Sequence, residues 1–134
     1  MKKIVYIIIL IIIIVGITLY LNKKDKKEIE EVKIKHASMD EIVQIMNENS
    51  NYIILDVRTI EEYNEGHIPN AICIPNESIG NEPIKELPNK EQLILIYCRS
   101  GNRSKQAAEK LKNLGYTNLI EFGGIKDWKG EIVK

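Results

Sequence analysis

One segment of the chain combines a candidate nucleophile with groups that favour an anion. The segment reads Cys98-Arg99-Ser100-Gly101-Asn102-Arg103, and Gly101 permits a tight backbone path. A cysteine reacts as the thiolate, and nearby cations and backbone N–H groups favour the thiolate over the thiol. We therefore predict that the pKa of Cys98 is lowered and that the loop around it binds an anion.

Arginine usage points to the same place. The chain has sixteen Lys but only three Arg, and two of these, Arg99 and Arg103, flank Cys98. The third, Arg58, follows another predicted strand. Because the planar guanidinium offers a fork of donors that Lys lacks, arginines gathered at strand ends predict anion binding there. The alternative is that Asp56 and Arg58 form structural hydrogen bonds near this end of the sheet, and both interpretations of Arg58 stay open.

A simpler interpretation of Cys98 also stays open, because most free cysteines are buried structural thiols. The second cysteine is Cys73. Two cysteines are too few for a disulfide framework and do not make a zinc pattern. We expect no metal site and no cofactor.

The charge of the second part of the chain limits the choice of partner. Residues 36–134 hold eleven basic and fifteen acidic side chains, a net charge of −4. This balance lacks the basic surface that nucleic acid requires. The sequence therefore predicts a small molecule or a protein as partner.

Strand and helix patterns alternate after residue 36. Apolar runs predict strands at residues 52–57, 71–74, 93–97 and 119–122. Ser38 with Glu41, and Thr59 with Glu62, have the spacing of capping boxes that open helices. The first of these helices is predicted to have an apolar face made of Ile42, Val43, Ile45 and Met46. A further helix is predicted from Ser104 to Leu114. This order predicts an α/β domain with a mainly parallel sheet and helices on both faces.

The predicted sheet places Cys98 where ligands bind. Open parallel sheets bind ligands beyond the carboxyl ends of their strands, and Cys98 follows directly after the buried strand of residues 93–97. The helix predicted near Ser104 adds the positive end of its dipole. These elements support the anion-binding loop.

The amino-terminal segment predicts a membrane anchor. Ile4–Leu21 is eighteen residues without a charge, about 27 Å of helix, which nearly spans a bilayer core of about 30 Å. A signal peptide is the alternative, but this run is long and lacks a small-residue cleavage site. We predict an uncleaved anchor over residues 1–21, a charged linker over residues 22–35 and a domain over residues 36–134. The flanking lysines are nearly balanced, and we expect a single-pass protein whose domain is extracytoplasmic.

The motifs resemble those of one known family. The segment from Cys98 to Ser104 is similar to the active-site loop of single-domain rhodaneses. Leu55-Asp56-Val57-Arg58 and Gly66-His67-Ile68-Pro69-Asn70-Ala71 resemble the family's first signature, and Gly123-Gly124-Ile125 with Trp128 resembles its closing segment. Asn70 stands where the family often has Gly, and Asn tolerates the same left-handed turn. The resemblance covers about residues 36–134.

The resemblance implies a rhodanese-like fold with a five-stranded, mainly parallel sheet. It implies a sulfurtransferase in which Cys98 forms a persulfide with sulfur from a donor such as thiosulfate and passes it to a thiol or cyanide. It places the anionic donor at the loop of residues 99–103. The four residues between Cys98 and Arg103 match sulfurtransferases, whereas phosphatase relatives have a longer loop.

Two points stay open at the level of sequence. A membrane-tethered sulfur carrier or a binding module without turnover is an alternative function for the same domain. Cys73 is either a small strand residue or a resolving thiol that reacts with the Cys98 persulfide.

Overall fold

The apolar runs of the chain form the strands of one sheet. The computed structural model describes residues 1–25 and 31–134, with only the backbone of residues 22–25. Among these residues the sheet has five strands in the order β1-β5-β4-β2-β3, and every neighbouring pair is parallel. The strands are β1 (Lys35–His36), β2 (Tyr52–Asp56), β3 (Ile72–Cys73), β4 (Leu93–Cys98) and β5 (Leu119–Gly124). The predicted five-stranded, mainly parallel sheet is confirmed.

Helices begin where the capping signals predict, with one exception. The membrane candidate is α1 (Lys2–Asp25), and the domain holds α2 (Met39–Glu48), α3 (Ile60–Glu65) and α4 (Asn102–Asn113). The capping boxes of Ser38 with Glu41 and of Thr59 with Glu62 are both present. Helix α4 begins at Asn102, two residues before the predicted start, because Gly101 adopts φ +107° and caps the helix without a side chain.

The sheet is covered on both faces. One apolar layer joins α4 to β2 and β4 through residues such as Ala107, Leu111 and Ile96. The other joins α2 to β4 and β5 through Ile42, Leu95, Tyr97, Ile120 and Phe122. Because β4 is central, its residues alternate between the two layers and nearly all are buried. One prediction about α2 is wrong, since Val43 is exposed to solvent.

Helix α1 belongs to a separate unit, Met1–Glu31. Its segment Lys2–Leu21 has a mean hydropathy of 3.1 and is long and apolar enough to cross a membrane. Its large apolar side chains are exposed. The predicted linker of residues 22–35 lies partly outside the described residues. The sheet begins at Lys35, one residue before the predicted start of the domain.

Candidate active site

Cys98 is the last residue of β4 rather than the first residue after the strand. The strand pairs on both sides, with β2 and with β5, and the Cys98 side chain is 1% exposed. The chain then turns sharply, so that the Gly101 N–H lies 3.0 Å from Cys98 Sγ. The positive φ of Gly101 makes this turn possible. A short loop thus brings a backbone donor onto the buried sulfur.

The balance of burial and hydrogen bonding lowers the pKa of Cys98. Burial by itself raises the pKa of this thiol, because it disfavours the charged form. Hydrogen bonds involving the Ser104 hydroxyl and the backbone N–H groups of Ser104, Gly101 and Ser100 act in the opposite direction and outweigh burial. The pKa of Cys98 is therefore below its ordinary value, in the predicted direction.

Gly124 of β5 makes room for the loop. A Cβ on Gly124 would overlap the Arg99 carbonyl and the backbone of Ser100, and a Cβ on Gly101 would contact Gly123. The Cys98-to-Gly124 pairing lies beyond a register shift in the β4–β5 ladder. Gly124 of the closing signature thus has a physical role, because a Cβ at this position would prevent the loop from packing onto β5.

Arg103 is held by a residue from another helix. Its guanidinium makes two hydrogen bonds, of 2.7 and 2.9 Å, to the two carboxylate oxygens of Glu62 on α3. The Arg103 hydrogen bond lowers the pKa of Glu62 to about 2. The Glu62 carboxylate therefore offsets the charge that Arg103 brings to the loop. The spacing of Thr59 and Glu62 predicts the capping box, which Glu62 also makes, but not this contact.

Arg58 is engaged in structural contacts. Its guanidinium donates to both oxygens of Asp56 and to the Gly66 carbonyl at 2.7 Å. The hydrogen bonds with Asp56 that the sequence suggested are thus present. Substrate binding by Arg58 stays a prediction. Arg58 also lines an open cavity of about 430 Å³, together with Glu62, Glu65, Arg99, Ile125 and Lys126.

The remaining loop residues face outward. Arg99, Ser100 and Asn102 are exposed, whereas Gly101 is buried beside β5. The cations among the residues that line the open cavity are Arg58, Arg99 and Lys126, and its carboxylates are Glu62 and Glu65. Lys126 was not among the predicted site residues.

A series of hydrogen-bonded polar side chains begins at Cys98, and the sequence patterns did not predict it. The Ser104 hydroxyl lies 3.5 Å from Cys98 Sγ and donates to Glu121 Oε1. The other Glu121 oxygen lies 2.9 Å from His36 Nδ1. Glu121 is 3% exposed. The available signal was an acidic residue inside the apolar run of β5, which is unusual for a strand buried on both faces.

Cys73 lies on the opposite face of the sheet. Asp56 of β2 pairs with Cys73 on one side and with Tyr97 on the other, so these three side chains share a face. Cys98, the next residue after Tyr97, points to the other face. With β2 between their strands, the two cysteines are about 10 Å apart, beyond the reach of a disulfide. Both are free thiols.

Burial raises the pKa of the Cys73 thiol to about 11, and the charge of Asp56 adds to the effect. The thiol points at backbone carbonyls, with Sγ 3.6 Å from the Arg58 carbonyl oxygen. These contacts favour the interpretation of Cys73 as a small strand residue. Within residues 1–25 and 31–134, no group of three His, Cys, Asp or Glu side chains is placed to hold a metal ion.

Comparison with known proteins agrees with this geometry. The family model of the rhodanese-like domain matches residues 38–131. The thiosulfate sulfurtransferase PspE of Escherichia coli is 37% identical over 73 residues, which cover 54% of this chain and 70% of that protein. A sulfurtransferase of Allochromatium vinosum is 34% identical over 98 residues, covering 71% of this chain and 88% of that protein. A rhodanese-like domain protein from Staphylococcus aureus superposes with a TM-score of 0.63 at 34% identity, covering 73% of this chain and 94% of that one.

Some relatives are much longer than the matched region. The chain spans 23% of the adenylyltransferase and sulfurtransferase uba4 of Ogataea parapolymorpha. It spans 52% of a Bacillus subtilis protein named "Putative sulfur carrier protein YrkF". In these cases the similarity concerns one part of a larger protein.

Proposed function

Because the chain belongs to the family of rhodanese-like domains, we propose that residues 38–131 form a sulfurtransferase that carries sulfur on Cys98 as a persulfide. The observation that carries the proposal is the loop geometry, in which the Gly101 N–H lies 3.0 Å from Cys98 Sγ. The names of the relatives from Escherichia coli and Allochromatium vinosum support the same chemistry.

The reaction proceeds in two transfers. The Cys98 thiolate attacks the outer sulfur of thiosulfate, the S–S bond of the donor breaks, and sulfite leaves with the bonding electron pair. The persulfide then carries one negative charge, which the N–H groups of the loop stabilise as preorganised donors. A thiol or cyanide attacks the outer sulfur, and the Cys98 thiolate is regenerated. This order of events is ping-pong kinetics.

The open cavity beside the loop is the proposed entrance for the donor. Arg99 and Lys126 are two of the cations that line it, which suits a dianion such as thiosulfate. Arg103 contributes less attraction, because Glu62 offsets its charge. Ser100, Gly101, Asn102 and Arg103 complete the proposed donor site through their backbone, and Arg58 lines the same cavity.

A single measurement tests the persulfide. The full chain, reduced and then treated with thiosulfate, is expected to gain the mass of one sulfur atom on Cys98. The Cys73→Ser variant is expected to gain it equally, and the Cys98→Ser variant not at all. Absence of the added sulfur on the native chain would overturn the proposal.

A sulfur carrier with little turnover is the second candidate, favoured by the similarity to the Bacillus subtilis protein named as a sulfur carrier. Both candidates form the persulfide, so turnover separates them. An enzyme releases many thiocyanate molecules per chain with thiosulfate and cyanide, whereas a carrier releases one and requires a partner protein as acceptor.

We also propose that α1 holds the domain at a membrane as a single-pass anchor, with the domain on the extracytoplasmic side. The apolar length of Lys2–Leu21 supports the anchor. Protease added to sealed, right-side-out vesicles should then digest the domain. Recovery of a shortened chain in the soluble fraction would instead indicate a cleaved signal peptide.

A further inference from the structure

A buried carboxylate lies one hydroxyl group away from Cys98. Glu121 is on β5, where it pairs with Ile96 of β4 on one side and with His36 of β1 on the other. Its Oε1 accepts hydrogen bonds from the Ser104 hydroxyl and from the Gly123 N–H, the latter at 2.9 Å. Glu121 takes no part in the proposed sulfur-transfer steps. A carboxylate that is 3% exposed is costly to bury, so its position calls for an explanation.

The Ser104 hydroxyl has a single proton and several acceptors. The shortest of its contacts is to Glu121 Oε1, the Gly101 carbonyl oxygen lies at 2.9 Å, and Cys98 Sγ lies at 3.5 Å. When the proton points to Glu121, Ser104 Oγ can only accept from Cys98, which must then be a thiol. When the proton turns to Cys98, the hydroxyl stabilises the thiolate and Glu121 loses a donor.

We propose that Glu121 is a positioning residue that draws the Ser104 proton away from Cys98 and so favours the thiol in the unloaded protein. Repulsion between two anions separated by one hydroxyl acts in the same direction. His36 limits this effect, because its Nδ1 lies 2.9 Å from the other carboxylate oxygen. The His36 side chain is 61% exposed, so its influence is the smaller one.

Proton positions follow from this competition. Deprotonation of Cys98 breaks one S–H bond and releases the proton to solvent, while the Ser104 O–H rotates from Glu121 to Sγ without breaking. Glu121 then keeps the Gly123 N–H and His36 as partners. Arg103 from α4 also acts electrostatically on Cys98, and its charge is offset by Glu62 from α3 and by Glu77.

Formation of the persulfide ends the competition between Glu121 and Cys98 for the Ser104 proton. This consequence rests on the proposed function. In the persulfide, Cys98 Sγ is bonded to the added sulfur and carries no proton. Ser104 can then donate to Glu121 without opposing the charge, which resides on the outer sulfur. Glu121 therefore disfavours the unloaded thiolate more than it disfavours the persulfide.

The test measures the protonation of Cys98 without any sulfur transfer. The full chain in detergent, with Cys73→Ser as background, is alkylated with iodoacetamide from about pH 5 to about pH 10, which brackets ordinary thiol pKa values. Glu121→Gln removes the charge but retains the shape, because the amide oxygen can accept from Ser104 and Gly123 while the amide nitrogen faces His36. Glu109→Gln on the exposed face of α4 is the control for net charge.

We expect Glu121→Gln to raise the thiolate fraction of Cys98 about tenfold at a fixed pH below its pKa, so that the alkylation profile moves to lower pH. Glu109→Gln should leave the profile in place. His36→Ala should move it to higher pH, by roughly two- to threefold in thiolate fraction, and should have no effect when combined with Glu121→Gln.

An unchanged profile, or one moved to higher pH, in Glu121→Gln would overturn the proposal. If that variant does not fold, as judged by circular dichroism, His36→Ala decides in its place, and an unchanged profile there is contrary to the proposal. Failure of the sulfur-transfer function would show separately, as absence of the added sulfur after thiosulfate treatment, because alkylation requires only the thiolate.

Discussion

The two thiols of this domain lie at the carboxyl ends of parallel strands in one sheet, yet their surroundings oppose each other. Cys98 ends β4 and receives hydrogen bonds from the loop that follows, which lower its pKa. Cys73 ends β3, where burial and the charge of Asp56 raise its pKa to about 11. The comparison teaches that the end of a strand does not activate a thiol. Activation requires donors that converge on the sulfur, and only the β4–α4 loop provides them.

The difference also depends on which face of the sheet each thiol occupies. Cys98 points toward α4, whose first residues supply N–H groups and the positive end of a helix dipole. Cys73 points toward the start of α3, and its sulfur meets the carbonyl oxygens of Arg58 and Thr59 instead. Carbonyl oxygens accept from a thiol but repel a thiolate. The pKa of the same chemical group is therefore lowered in one place and raised in the other.

The largest expected effect is a difference between the two thiols in their rate of alkylation. With a pKa of about 11, Cys73 is a thiolate in about one molecule in ten thousand at pH 7. We expect iodoacetamide at neutral pH to modify Cys98 at least about a hundredfold faster than Cys73. Peptide mass spectrometry measures the alkylation rate at each cysteine. The Cys98→Ser variant should lose the fast reaction and Cys73→Ser should keep it. Equal alkylation rates at the two thiols would contradict the difference between their pKa values.

A second prediction removes the support of the Cys98 loop. Gly124→Ala places a Cβ against the Arg99 carbonyl and the Ser100 backbone, so the loop must move off β5. Since catalysis depends on donor positions to within about 0.5 Å, we expect sulfur transfer to fall about a hundredfold. Gly80→Ala, where the added methyl group meets open space, is the matched control. Retention of full activity in Gly124→Ala would show that the loop position is not required.

A third prediction separates backbone strain from activation of the thiol. Gly101 and Gly115 both have positive φ, of 107° and 94°, so an Ala at either site should destabilise the fold by about 1–2 kcal/mol in urea unfolding. Of these two glycines, Gly101 donates to Cys98 Sγ and Gly115 does not. We expect Gly101→Ala to reduce thiolate formation about tenfold and Gly115→Ala to leave it unchanged. A similar loss in both variants would assign the effect to stability alone.

The smallest expected effect concerns the Glu62 carboxylate, whose charge affects the surroundings of both thiols. It pairs with Arg103 of α4, and its charge adds to the raised pKa of Cys73. The pKa of Glu62 is lowered to about 2, so its stabilisation is complete above the unfolded value of about 4.3 and is lost as the pH falls toward 2. We expect Glu62→Gln to cost about 0.5–1 kcal/mol at pH 7.

The pH dependence of that cost provides the check. In urea unfolding, the difference between Glu62→Gln and the native chain should shrink as the pH falls from about 4.5 to about 2. Glu61→Gln, an exposed neighbour on α3, controls for the loss of a capping-turn charge. A difference that is constant over this range would mean that the ion pair does not contribute to stability.

Local features of the fold were predictable from the sequence because they depend on neighbouring residues. The capping boxes that open α2 and α3 join residues three positions apart. The apolar runs of β2 and β4 follow from burial on both faces, and Asn70 adopts φ 65° in the turn expected of it. The start of α4 was placed two residues late, because Gly101 caps that helix through its backbone and leaves no side-chain signal.

Cys98, its loop and the parallel sheet were thus determined by the sequence itself, since strand, turn and helix signals are short-range. The tertiary structure decided which distant groups meet there. The contacts of Ser104 with Glu121, of Arg103 with Glu62 and of His36 with Glu121 join residues 17, 41 and 85 positions apart. These pairs depend on the order of strands in the sheet and on the face that each side chain occupies, and no local pattern encodes either. The lowered pKa of Cys98 depends on the loop that follows it, whereas the proposed effect of Glu121 and the raised pKa of Cys73 arise only when the sheet is assembled.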